Sequence, residues 1–224
     1  MKIKNYTIFN HNNTKNWNKL RDSIEFTSYF VPRLKKDYIS KLNDFKINLN
    51  VENDFTNLIK KHSINKLVSL CSGSCQVEFY LMNKFNLKCH VSDTTESMQR
   101  VKKFNIFDSV SIIDVSKPFK LNVDNNTIVL LSRIDTEFDD DQLKNIFRNL
   151  NLLEVKIIYF VPAEILNAKS FLVNIKIIIK CFLYFRKPVS WGKIRSYSSF
   201  EGLWKKYYKT NSKNIFGLTL LKND

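Results

Sequence analysis

Apolar positions along this chain change their period once, near residue 66. Between residues 15 and 45, Trp17, Leu20, Ile24, Phe26 and Phe30, then Leu34, Tyr38, Ile39 and Leu42, recur every three or four residues, the spacing of amphipathic helices, with a break near Pro32. A further helical stretch is expected over 55–61. From residue 66 onward short apolar runs alternate with helical ones. The runs at 66–70, 87–92, 110–113, 127–131, 155–161 and 215–221 predict strands, and the segments 77–85, 97–104, 140–150 and 199–208 predict helices. Strands that alternate with helices predict an α/β fold, a mostly parallel twisted sheet with helices on both faces. The chain reads as one domain (1–224): an N-terminal helical cap (1–60), a sheet core (61–162), an amphipathic insertion (163–198) and a C-terminal helix and strand (199–224).

Composition supports a single core. The 224 residues are 44% hydrophobic, and only four Gly and four Pro exclude collagen-like and low-complexity classes. Cys71, Cys75, Cys89 and Cys181 form no paired framework, and the first twenty residues carry neither an apolar h-region nor a small-residue cleavage site. A reduced, cytoplasmic setting is therefore expected, with a peripheral position at the inner membrane face compatible with the charge. Cys71 and Cys75 lack ligand-spaced partners among His11, His62 and His90, so no metal site is expected. The net charge of +15 is uneven: residues 165–224 hold twelve Lys or Arg against Glu201 and Asp224. Such a surface attracts phosphate, nucleic acid or anionic lipid, or is simply a solvated face.

In a parallel α/β sheet, ligands bind beyond the C-terminal strand ends. The first such end is Leu67-Val-Ser-Leu-Cys-Ser-Gly-Ser-Cys75, an apolar strand followed by a small-residue turn centred on Gly73 and then a helix. Gly73 removes the Cβ that would block a ligand, and the helix start offers free N–H groups. The second strand ends at His90-Val91-Ser92-Asp93, which places a carboxylate where ribose hydroxyls are commonly bound. The third ends at Asp114 and the fourth at Ser132. Plain structural roles compete: Asp93 as a helix cap, Gly73 as a strand-to-helix turn and Asp114 as a solvated strand end.

These stretches resemble the motifs of the class I S-adenosylmethionine-dependent methyltransferases. LVSLCSGSC resembles V-L-D-L-G-C-G-x-G, with Gly73 on the central glycine. Asp93-Thr-Thr-Glu-Ser-Met98 resembles D-I-S-x-x-M, Asp114 to Phe119 resembles D-x-x-x-L-P-F, and Asp124 to Ser132 resembles D-N-S-F-D-x-V-x-S. The resemblance covers residues 57–162 and implies a Rossmann-like fold that binds S-adenosylmethionine. It assigns Ser69, Cys71, Gly73, Ser74, Asp93, Thr94, Met98, Asp114, Val115 and Ser132 to the cofactor, with Asp93 on the ribose and Asp114 near the adenine amino group. The sequence departs from the pattern at three places in the first motif: Ser69 replaces the opening acid, and Cys71 and Cys75 replace the outer glycines, where a Cβ is expected to crowd the turn. Ile128 stands where an acid often precedes the fourth strand's apolar run, and Glu137 where the family frequently has His. Glu137 and Asp135 follow strand four, where the fold presents residues to the acceptor; either can act as the base or simply start a solvated helix.

The insertion carries its own pattern. On a helix at 100° per residue, Lys169, Lys176, Lys180 and Lys187 fall within about 20° of one line, and apolar residues fill much of the remainder. Lysines interrupt the run too often for a membrane span. A lid over the acceptor pocket and a helix lying on an anionic membrane surface both fit. After it, Lys193, Arg195, Lys205 and Lys206 alternate with Trp191, Tyr197, Trp204, Tyr207 and Tyr208; these residues can bind acceptor, with Arg195 and Tyr197 foremost, stack on RNA bases, or pack on the sheet. The expected function is methyl transfer to oxygen or nitrogen of an anionic or lipid-associated small-molecule acceptor. RNA methylation, and a non-catalytic protein that reuses the fold to bind nucleic acid or membrane, are the alternatives. The oligomeric state is left open.

Overall fold

The structure, a computed structural model, describes residues 2–3, 18, 21–22, 29–163, 165–166, 172, 175–176, 179, 183, 194–214 and 216–223. The apolar runs form strands β2 (Lys66–Leu70), β3 (Lys88–Asp93), β4 (Ser109–Ile112), β5 (Thr127–Ser132) and β6 (Ile157–Val161). They pair in parallel in the order β4-β3-β2-β5-β6. The chain then adds a hairpin, β9 (Tyr208–Lys213) and β10 (Leu218–Lys222), with β10 antiparallel to both β6 and β9, giving a seven-stranded sheet. A small second sheet joins β1 (Lys2–Ile3), β8 (Ile194–Ser196) and β7 (Ile165–Leu166). The Rossmann-like α/β architecture expected from the alternation is present. The sequence pattern missed β9: Tyr-Lys-Thr-Asn-Ser-Lys has no apolar alternation and forms because it is an edge strand, wet on most of its length.

Alternation along β5 divides the core. Ile128 and Leu130 face one side of the sheet, where they pack with helices α1 (Lys35–Asn43), α2 (Leu49–His62), α3 (Gln76–Phe85) and α4 (Ser97–Phe104) through Tyr38, Phe55, Leu81 and Val101. Val129 and Leu131 face the other, against α5 (Asp140–Leu152) and α6 (Tyr197–Trp204) through Phe147, Phe200 and Trp204. Those rings cluster edge to face, with Phe147 5.4 Å from Trp204 and Phe160 5.5 Å from Phe200 between ring centroids. Helix α2 starts six residues earlier than predicted because the Asn48 side chain caps it, accepting from Asn50 N–H at 2.9 Å.

Burial places four rings of the aromatic-basic tail. Trp204 and Tyr208 lie in the core, while Tyr197 and Tyr207 are half-buried under Lys213 and Lys206, so the plain packing role accounts for these rings. In the insertion, Leu172, Ile179 and Leu183 are helical and exposed, at 58%, 54% and 67%. Trp17, Leu20, Ile24 and Phe26, the lysines at 169, 180 and 187, and Trp191 lie outside the described residues. No helix among the described residues is long and apolar enough to cross a membrane.

Candidate functional site

The turn after β2 has three left-handed residues and one glycine. Cys71, Gly73 and Cys75 all take left-handed backbone conformations, with φ of 60°, 61° and 58°. An L residue there costs about 1–2 kcal/mol, which the two cysteines carry and Gly73 avoids. The turn forms with that cost in place: the Cys75 side chain is buried in the core and Cys71 lies along the wall of the cleft. Desolvation pushes both thiols up, so they stay neutral. Hydroxyls tie the turn to β3: Ser72 Oγ donates to Ser92 O at 3.1 Å and Ser92 Oγ to Ser69 O at 3.0 Å. From α1, Tyr38 Oη donates to Ser74 O at 3.0 Å.

Asp93, the last residue of β3, meets this turn. Its carboxylate accepts from Gly73 N–H at 2.8 Å and Thr95 N–H at 3.1 Å, and Arg21 Nη2 stands 3.8 Å away. Arg21 belongs to the N-terminal cap, which is fixed over α4 by Asn18 Oδ1 accepting from Glu96 N–H and by an Asp22–Arg100 ion pair of 2.6 Å. The guanidinium lies so near the turn that a Cβ on Gly73 would sit 2.7 Å from Nη2. Glu78, in the first turn of α3, is buried and accepts from Ser69 Oγ at 2.6 Å. Burial pushes its carboxyl up to about 7. Asp114 caps its own loop, accepting from Ser116 Oγ at 2.6 Å and pairing with Lys117 at 3.2 Å; although burial opposes it, these donors hold the carboxyl below its usual range.

These groups line a cleft of about 830 Å³ across the strand ends. On the β3–β4 side it is bounded by Cys71, Gly73, Ser74, Asp93, Thr94 and Asp114, and on the β5 side by Ser132, Arg133, Glu137, Phe138 and Gln142. Arg133 takes a left-handed conformation, φ 57°, as its N–H bonds Val161 O at 2.7 Å and turns the chain into a short 3-10 turn, Ile134–Thr136.

The remaining residues of the sequence-based site do not line this cleft. Asp135 is buried, receives Ala163 N–H on both oxygens at 3.0 and 3.1 Å, and is pushed up to about 6 by burial; it fastens the end of β6. Arg195 is fully buried and donates to Asp140 Oδ1 at 3.0 Å, Asp135 O at 2.9 Å and Phe138 O at 3.1 Å. It braces the loop that carries Glu137 and is too enclosed to meet an acceptor. Tyr197 packs under Lys213, while Met98 and Val115 are core residues. Ser69 is buried and touches the site only through Glu78. Arg21, Glu78, Arg133 and Gln142 line the cleft and were missed; the signal for Glu78 was Ser69, a buried hydroxyl at the strand end with a carboxylate nine residues on.

No family model and no curated protein matches the sequence. Among solved structures the chain is similar to methyltransferase CalO6, with TM-score 0.56 and 13% identity over 84% of this chain and 64% of that one. It is similar to human N-acetylserotonin methyltransferase in complex with SAM, with TM-score 0.53 and 11% identity over 91% and 60%. It also resembles the PH0226 protein from Pyrococcus horikoshii OT3, with TM-score 0.52 and 13% identity over 81% and 93%. The fold is that of the S-adenosylmethionine-dependent methyltransferases. The chain spans roughly three fifths of the length of the two methyltransferases. On this methyltransferase fold, the Gly73–Asp93 junction and the Ser132–Glu137 loop occupy the strand ends at which α/β sheets bind ligands.

Proposed function

We propose that the chain transfers a methyl group from S-adenosylmethionine to an oxygen or nitrogen of an anionic or lipid-associated small molecule. One observation carries the reading: a single cleft runs from the Gly73–Asp93 junction to Arg133 and Glu137. Its volume of about 830 Å³ is in the range of small-molecule sites, about 300–1,000 Å³. The residues present fit the cofactor. The left-handed turn forms at Cys71, Gly73 and Cys75, the missing Cβ of Gly73 leaves room for the Arg21 guanidinium, and Asp93 stands at the neighbouring strand end.

When bound, the cofactor supplies an electrophilic methyl group on a sulfonium. Asp93 and Thr94 would hold its ribose, Asp114 and Ser116 its base, and Ser132 would stand between cofactor and acceptor, with Gly73 giving the turn room for the Arg21 guanidinium beside it. On the acceptor side Arg133 attracts a negative group, Phe138 supplies an apolar wall and Glu137 takes a proton from the acceptor. Alignment and exclusion of water do most of the remaining work. Calorimetry with S-adenosylmethionine and S-adenosylhomocysteine tests the reading. Micromolar binding by the parent chain is expected, weakened by about tenfold or more in Asp93→Ala, as for the loss of a hydrogen-bonded carboxylate. A parent chain that binds neither compound overturns it.

A second reading concerns location. Leu172, Ile179 and Leu183 expose their side chains beside the lysine line that includes exposed Lys176, which favours an insertion resting on an anionic membrane surface over a lid closed on the cleft. Vesicle co-sedimentation, detailed below, tests it.

A further inference from the structure

We propose that Glu78 receives the ammonium group of the amino-acid end of the bound cofactor, taking the place of the acid that position 69 lacks. This inference rests on the cofactor reading above.

The argument starts from the distribution of negative charge in the cleft. Asp93 receives Gly73 N–H and Thr95 N–H and has the Arg21 guanidinium beside it, and Asp114 receives Ser116 and pairs with Lys117, so each already has a cation within ion-pair distance. Glu78 differs. Its carboxylate is held by Ser69 Oγ and by its own backbone N–H, and it is 1% exposed, yet it lines the cleft beside Gly73. An ionised carboxylate accepts about four hydrogen bonds, so this one has capacity for a ligand. A buried carboxylate so held is stabilised most by a cation or by N–H donors brought to it. Burial raises Glu78 to about 7, so a bound ammonium also keeps it ionised.

Geometry places Glu78 within reach of Ser69. Ser69 is fully buried under the turn, and its hydroxyl reaches only 2.6 Å to Glu78 Oε1. Serine's short side chain leaves room that the longer glutamate fills from the first turn of α3. Ser69 is thus the positioning residue that orients the Glu78 carboxylate. The Arg21 guanidinium, beside Gly73 and acting on Glu78 across the turn, would offer a positive charge to the carboxylate of the same amino-acid group.

The experiment compares two probes by calorimetry: S-adenosylhomocysteine, which carries the amino-acid group, and methylthioadenosine, which does not. The parent chain is expected to favour S-adenosylhomocysteine by about tenfold or more, the yield of a charge-assisted hydrogen bond. Glu78→Gln is expected to lose most of that preference while binding methylthioadenosine as the parent does, which also reports that it is folded. The double variant Ser69→Asp, Glu78→Ser, which returns the acid to the strand, is expected to restore the preference. Retention of the full preference by Glu78→Gln overturns this inference and leaves the cofactor reading standing. A parent that binds neither probe overturns the cofactor reading and this inference with it.

Discussion

At the scale of single residues, Glu78 links the cleft to the stability of the fold. Its carboxyl is raised from an ordinary 4.5 to about 7 by burial in the folded chain, with Ser69 and Arg21 opposing the shift and Asp93 adding to it. Between those values the folded chain binds the extra proton, so stability falls as pH rises from about 4.5 to 7 and the loss is complete above it. Urea unfolding at pH 5 and pH 7.5 is expected to show a decline that Glu78→Gln reduces by up to about 3 kcal/mol. An unchanged decline in that variant would mean the carboxylate is not buried as described. The cysteines of the turn show a different residue-scale compromise. Cys71 and Cys75 hold the left-handed geometry that glycine would adopt freely, and their thiols contribute packing in return.

Among the elements, the loop between β5 and α5 decides whether the β5 side of the cleft keeps its shape. It is closed at one end by the capping box of Asp139 and Gln142 and at the other by Asp135 on Ala163 N–H. Arg195, from the small sheet, crosses between them with three hydrogen bonds and no exposed surface. Removing it leaves Asp135 and Asp140 without their shared cation, so Arg195→Ala is expected to cost about 3–5 kcal/mol in chemical denaturation. A loss under about 1 kcal/mol would show that the loop is held by its cap alone. This explains why Arg195 looked like a substrate contact in sequence. A cation next to aromatics reads the same whether it faces solvent or sits in the core, and only burial separates the two.

For the whole molecule, the excess of positive charge and the exposed apolar positions of the insertion fall in the same part of the chain. Residues 165–224 hold most of the net charge of +15, and Leu172, Ile179 and Leu183 are exposed there. The parent chain is expected to co-sediment with vesicles rich in phosphatidylserine at moderate salt and not with neutral ones, and Lys176→Glu with Lys180→Glu is expected to abolish it, each lysine contributing about 1 kcal/mol. Equal partition to both vesicle types, or none to either, would return the basic quarter to the role of a solvated face.

The sequence by itself determined the layered α/β fold, because buried parallel strands must be apolar throughout and the helices between them must show one apolar stripe. It also placed Gly73, Asp93, Asp114, Ser132 and Glu137 at strand ends, since a ligand site beyond a parallel sheet follows from strand order and chain direction alone. The polar edge strand β9 and the small sheet of β1, β7 and β8 were not legible, as pairing at an edge needs backbone hydrogen bonds and little apolar pattern. Which acids face the cleft was decided only by tertiary structure. Asp135 and Glu137 are two residues apart, yet one is turned onto Ala163 N–H and the other lines the cleft, while Glu78 reaches the site from a helix through a serine nine residues earlier. Direction and burial of a side chain depend on what packs against it, and those neighbours come from distant parts of the chain.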